Sequence, residues 1–271
     1  MCRLAASFGQ SRPLSELLFD APHGLESQAY RPRELVSGHV NVDGTGLAWW
    51  PTGNGAREPQ RPLRYVTERP PWADSNLLEL SRLHADVQLA AVRSATPGMP
   101  FTPEAVGPFV RGDWAFAHNG FLEDFRDAWQ APLLERLDRE RLADWTVSSD
   151  SLALQLWLDQ HRASLPELPL AEQLAGWATE VLQLAAELQR AASLTCVVAR
   201  RDGLWALRAA HGVPPNTLYR RLATSAGSAH QLASEPMDDG PWEPMTPNCV
   251  VQVSDSGWSL FEFAPPQPAA P

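Results

Sequence analysis

Hydrophobic positions in the first half of the chain come in short runs separated by Gly, Pro and Asp, at residues 2–7, 46–50, 63–67, 87–93 and 114–118. Runs of this length between turn-forming residues predict strands, so sheet dominates this half. The period then changes. Leu174, Trp177, Val181, Leu184 and Leu188 recur at steps of three and four, which places one apolar stripe along a helix. Such a stripe docks a helix on a core, and no binding role is assigned to it. A further helix is predicted after Asp150. Strand-like runs return at 194–200, 204–209, 218–223 and 250–253, with Asp202-Gly203 as the expected hairpin turn. Strands, then helices, then strands predict an α+β fold in one layered domain, residues 2–263. The Gly- and Pro-rich stretch 51–62 reads as a loop and the Pro- and Ala-rich stretch 264–271 as a frayed tail.

Composition narrows the chemistry. With 271 residues, 44% of them hydrophobic, and 11 Trp, the chain can build a sizeable core. A formal charge of -10 with scattered basic residues argues against a nucleic-acid partner, which needs a positive stripe. All 22 basic residues are Arg. The absence of Lys excludes a P-loop lysine, a pyridoxal Schiff base and a Ser-Lys nucleophile pair. Cys2, Cys196 and Cys249 are widely spaced and suggest reduced thiols, with neither a zinc site nor a disulfide framework. No cofactor and no metal are expected. No secretory signal and no apolar run long enough to span a bilayer stand out, so the expected setting is cytoplasmic, away from membrane.

Cys2 lies directly behind Met1. Removal of Met1 would leave one residue with a thiol and a free α-amine titrating near ~7.7–8.0, a built-in general base. Three further sites fit acyl transfer by such a nucleophile. Arg93 ends an apolar strand and is followed by a turn through Thr96, so its guanidinium can clamp a carboxylate or simply reach solvent. Asn119-Gly120 halts a strand, and an Asn amide beside a Gly N–H supplies two donors to an oxyanion; the same pair also suits a hairpin. Ser149-Asp150-Ser151 leads into a helix, where one member can cap the helix and the Asp can hold an ammonium. His118 reads as structural, since the α-amine fills the role of base.

Taken in order, Cys2, the run from Asn41 to Trp50, Arg93 to Thr96, His118-Asn119-Gly120 and Ser149-Asp150-Ser151 resemble the class II glutamine amidotransferases, which are N-terminal nucleophile hydrolases. The late stretch from Leu232 to Met237 extends the likeness over nearly the whole chain. The resemblance implies a four-layer αββα sandwich. It also implies roles: Cys2 attacks a γ-glutamyl carbonyl, Asn119 and the Gly120 N–H form the oxyanion hole, Arg93 with Thr96 holds the α-carboxylate, and Asp150 holds the α-ammonium. Two departures, Leu152 in place of an acidic residue and Thr45 in place of a larger one, affect the pocket's shape rather than the bond-breaking groups. The chain has no length left for a synthase domain, which points to a stand-alone hydrolase of a small γ-glutamyl substrate. The segment from Ala21 to Gly44 is similar to the ergothioneine-pathway amidohydrolases that cleave γ-glutamyl-hercynylcysteine sulfoxide. A general stand-alone glutaminase and a non-catalytic relative that binds a γ-glutamyl ligand or a protein are the alternatives. Trp49, Trp50, Trp72 and Trp114 are candidates for an aromatic wall around a quaternary ammonium, or for ordinary packing. No oligomeric state is predicted.

Overall fold

Alternation along the first strand sets the architecture. In β1 (Arg3–Pro13), Leu4, Ala6 and Phe8 face one apolar cluster while Ala5 faces another, as period-two geometry requires of a strand buried on both sides. The computed structural model describes residues 2–35, 40–51, 61–95, 98–223 and 228–264. The greater part of the expected loop 51–62, and all of the expected tail after residue 264, fall outside them.

Two antiparallel sheets make the two inner layers. β1, β2 (Thr45–Pro51), β3 (Leu63–Thr67) and β4 (His84–Val92) join β10 (Tyr219–Arg221), β11 (His230–Ala233) and β12 (Glu243–Pro244) in the order β12-β10-β11-β1-β4-β2-β3. The second sheet runs β14-β13-β9-β8-β6-β5, from β5 (Phe109–Arg111), β6 (Trp114–His118), β8 (Ala192–Arg200), β9 (Gly203–His211), β13 (Cys249–Ser254) and β14 (Gly257–Glu262), with the short β7 (Phe121–Leu122) also on β8. β1 is thus an interior strand, between β11 and β4.

Between the sheets lies a core rich in alanine, including Ala6, Ala48, Ala91, Ala115, Ala117, Ala199 and Ala206, with Leu4, Phe8 and Trp50 filling the wider gaps. Complete burial of a side chain such as Leu4 contributes roughly 1.5–3 kcal/mol. Outside the first sheet, α1 (Leu25–Tyr30), α2 (Ser75–Leu80) and a helical turn at Glu16–Asp20 bury Leu17, Leu18, Leu25, Ala29 and Leu77 against Leu47, Trp49 and Val92. Outside the second, α5 (Asp150–Ser164) and α6 (Leu170–Leu188) cover β8 and β9, after the short α3 (Gln130–Leu134) and α4 (Arg139–Ala143). This is the four-layer αββα sandwich. Leu174, Trp177, Val181 and Leu184 of the predicted stripe are all buried in that outer core.

One expected turn shifts by a residue, and one alternative reading as a turn drops out. Arg200 pairs with Gly203, so Arg201 and Asp202 make the hairpin turn and Gly203 opens β9. A Cβ at Gly203 would meet the Val253 carbonyl oxygen at 2.5 Å, so glycine admits the close approach of β13. At Asn119-Gly120 the chain does not reverse either. His118 pairs with Cys196 and Phe121 with Ser193, the same register on β8, so the strand resumes beyond the pair before turning helical at Phe125–Trp129.

Candidate active site

The start of β1, the end of β4, the β6–β7 junction and the start of α5 converge on one cleft, lined among others by Cys2, Arg93, Gly120, Asp150 and Ser151. Cys2, Arg93, Gly120 and Asp150 are the four expected to act on substrate. Cys2 is partly exposed there, and its carbonyl oxygen accepts from Arg3 Nη1 at 3.2 Å. Register brings Arg93 to it, because Arg3 of β1 pairs with Val92 of β4.

Arg93 does not reach out to solvent; it is 8% exposed. Its backbone is braced at both ends, the N–H donating to the Gly44 carbonyl at 2.8 Å and the carbonyl accepting from the Asp43 N–H at 2.9 Å. The Asp43 carboxylate also accepts from the Ala95 N–H at 2.8 Å, which fixes the turn after Arg93. Nη1 is buried with no hydrogen-bond acceptor among the described residues. An unsatisfied buried donor costs about 1–3 kcal/mol, more when charged, and an anionic ligand in the cleft removes that cost. Thr96, the other expected carboxylate contact, lies outside the described residues.

Asn119 is fully buried behind the cleft wall rather than lining it. Its Nδ2 donates to Ser234 Oγ at 3.2 Å, and its Oδ1 accepts from Asn216 Nδ2 at 3.1 Å. Ser234 Oγ also accepts from the Leu4 N–H at 3.0 Å, tying the amide to the strand that carries Cys2. One N–H of the Asn119 amide is left over for a ligand. Gly120 lines the cleft and has no room for a side chain, since a Cβ would overlap the Ser193 carbonyl oxygen and the His118 ring. Ser234 and Asn216 were missed as functional residues. Ser234 sits in the family-like stretch 232–237 and so had a signal; Asn216, after two prolines in an irregular segment, had none.

The Ser-Asp-Ser run divides its tasks. Ser149 caps α5 by accepting from the Leu152 N–H at 3.4 Å. Asp150 Oδ1 takes the Ser151 N–H at 2.7 Å and lies 3.2 Å from Ser151 Oγ. His118 Nδ1 lies 2.9 Å from Ser151 Oγ and Nε2 lies 3.0 Å from the Ser193 carbonyl oxygen. Burial drives the His118 pKa below its ordinary value, against the pull of Asp150, so the ring is neutral at neutral pH. Of the four tryptophans, Trp49, Trp50 and Trp114 are core residues at 5%, 0% and 3% exposure, the ordinary packing that was the alternative to an aromatic wall. Trp72 is 44% exposed and meets Tyr30 edge to face with centroids 5.6 Å apart.

Chemically, the cleft brings together a thiol, a guanidinium with an unpaired Nη1, a carboxylate and a glycine. That set matches an amino acid with free α-groups, joined through its side-chain carbonyl. Among the described residues no group of three His, Cys, Asp or Glu side chains is placed to hold a metal ion. Nor is any described helix long and apolar enough to cross a membrane.

The γ-glutamyl-hercynylcysteine sulfoxide hydrolase of Mycolicibacterium smegmatis is 31% identical over 261 residues, covering 94% of this chain and 97% of that protein. The Mycobacterium tuberculosis protein of the same name is 38% identical over 124 residues, 45% of this chain and 50% of that one. A solved class II glutamine aminotransferase domain protein from Silicibacter pomeroyi superposes with a TM-score of 0.70 at 21% identity, covering 97% of this chain and all of that one. The family model described as class II glutamine amidotransferases matches residues 20–211, so the chain belongs to that family.

Proposed function

We propose that the chain is a stand-alone amidohydrolase of ergothioneine biosynthesis, which cleaves γ-glutamyl-hercynylcysteine sulfoxide to glutamate and hercynylcysteine sulfoxide. The observation that carries the γ-glutamyl half is Arg93, a buried cation with an open Nη1 in the same cleft as Cys2 and Asp150. The likeness to the mycobacterial hydrolases, end to end in one case, supports the hercynyl half. In this reading Arg93, with Thr96, binds the α-carboxylate and Asp150 the α-ammonium. The Cys2 α-amine takes the thiol proton, sulfur attacks the γ-carbonyl, and Asn119 Nδ2 with the Gly120 N–H holds the oxyanion. The protonated α-amine then gives its proton to the leaving nitrogen. Water, activated by the same amine, hydrolyses the thioester and frees glutamate and the thiol. A cytoplasmic setting suits three free cysteines and a small-molecule substrate.

Turnover of the hercynyl sulfoxide conjugate is expected to exceed that of glutamine by at least about a hundredfold in kcat/KM. Equal turnover of the two would make the protein a general glutaminase. Failure of a glutamine-like electrophile to label Cys2 would make it a non-catalytic binder. Intact mass of active protein is expected to lack Met1, and full activity with Met1 retained would remove the α-amine from the mechanism. Arg93→Ala should raise KM about 10- to 100-fold through the lost carboxylate clamp, and unchanged saturation would remove Arg93 from the site.

A further inference from the structure

Ser151 has no role in the reaction just described, yet it lines the cleft between two groups that compete for its one hydroxyl proton. The hydrogen-bond geometry and the neutral ring together resolve the competition. The Ser193 carbonyl oxygen, 3.0 Å from His118 Nε2, only accepts, so Nε2 carries a proton. In a neutral ring Nδ1 is then an acceptor, and the Ser151 hydroxyl 2.9 Å away is the donor that faces it. The more distant Asp150 Oδ1, at 3.2 Å, receives the Ser151 N–H but not its O–H. The Ser151 oxygen is left with its lone pairs beside the Asp150 carboxylate.

We propose that Ser151 Oγ is a second acceptor for the substrate's α-ammonium, held in that role by neutral His118, which acts as a positioning residue. The proposal rests on the γ-glutamyl reading and adds to it a neutral ligand for the cation. Two acceptors side by side suit an ammonium, which has three donors, better than one carboxylate oxygen does. The other charged or titratable groups around this triangle are Cys196, paired with His118 across β6 and β8, and Cys2 and Arg93, which line the same cleft. Burial raises the Cys196 pKa, so that thiol keeps its proton and supplies no charge to His118. The lowered pKa of His118 keeps its ring neutral at neutral pH, as the arrangement needs.

The test is calorimetric binding of glutamate and of glutarate, which has the same two carboxylates and no ammonium, to the wild type and to Ser151→Ala at neutral pH. Glutamate should bind Ser151→Ala about tenfold more weakly, with glutarate affinity unchanged. Equal losses for both ligands would mean that the variant merely disturbs the cleft, and no loss for glutamate would mean that Oγ touches no ammonium; either overturns the proposal alone. Absence of glutamate binding to the wild type would overturn the γ-glutamyl reading and this proposal with it. Nitrogen NMR of the wild type should show His118 as the neutral Nε2–H tautomer, and an imidazolium or Nδ1–H form at neutral pH would reverse the Ser151 hydroxyl and end the argument.

Discussion

Glu235 and Asp150 are both carboxylates in reach of the first strand, and the protein treats them in opposite ways. Glu235 is fully buried, hydrogen-bonded to His23 Nε2 at 2.7 Å and to the N–H groups of Arg33 and Glu34 at 2.8 and 3.0 Å, and ion-paired with Arg3 Nε at 3.1 Å. Asp150 takes the Ser151 N–H, has no partner beyond Ser151 among the described residues, and faces the cleft. Cys2 and Arg3 are adjacent on the chain, yet Cys2 lines the cleft while Arg3 is buried against Glu235. A carboxylate saturated by four residues holds loop, strand and α1 approach together; a carboxylate left open, near a guanidinium left open, waits for a ligand. Substitutions should therefore separate cleanly, with stability lost at one carboxylate and turnover lost at the other.

Cys2→Ala gives the largest effect and defines the cleft side of the comparison. Hydrolysis should disappear while the thermal midpoint stays within a degree or two of wild type, since a partly exposed thiol contributes little to packing. Residual turnover at a measurable fraction of wild type would remove the thioester. Glu235→Gln defines the other side. It leaves Arg3 buried without its counter-charge, and breaking such a pair costs about 3–5 kcal/mol, read as a lowered denaturant midpoint. A Glu235→Gln protein of unchanged stability would mean that the buried pair does not hold the strand.

Asn119→Ala lies on the boundary between the two regions. Loss of one oxyanion donor should lower kcat about 10²- to 10³-fold. Because Asn119 also bonds Ser234 and Asn216, a stability loss of about 1–3 kcal/mol should accompany it. Asn216→Ala, which removes only the support, should lower stability with a smaller effect on kcat. If both variants lowered kcat equally, Asn119 would be a positioning residue and not a donor to the oxyanion.

The same division explains what could be read from the sequence. Cys2, Arg93, Gly120 and Asp150 sit at the ends of strands and helices whose periods are clear, and the structure gathers all four at one cleft. The stripe in α6 and the run in β6 were legible for the same reason, since burial on a fixed face leaves a fixed spacing. The buried support was not legible. Glu235, His23 and Arg3 are 212 and 232 residues from their partners along the chain or stand in segments without a period, so nothing local predicts that they meet. Asn119-Gly120 left a hairpin open as an alternative because its glycine answers to a close approach by Ser193 and His118, a constraint set by β8 and invisible in the dipeptide itself.

Acid is the gentlest probe of the comparison and touches Glu235 without a substitution. Burial alone would raise its pKa, but hydrogen bonds from His23 and from the N–H groups of Arg33 and Glu34, with the charge of Arg3, more than offset this and hold the carboxyl below the usual range. A folded pKa below the unfolded value means a contribution present above the unfolded value, about 4.3, and lost as pH falls through the lower folded one. Denaturant midpoints of wild type and Glu235→Gln should therefore keep a constant gap from about pH 6 to 8 and converge only below about pH 4. A gap that closed between about pH 6 and 7 would mean that a group other than Glu235 sets it, and one that persisted under strong acid would mean that the glutamate acts through shape rather than charge.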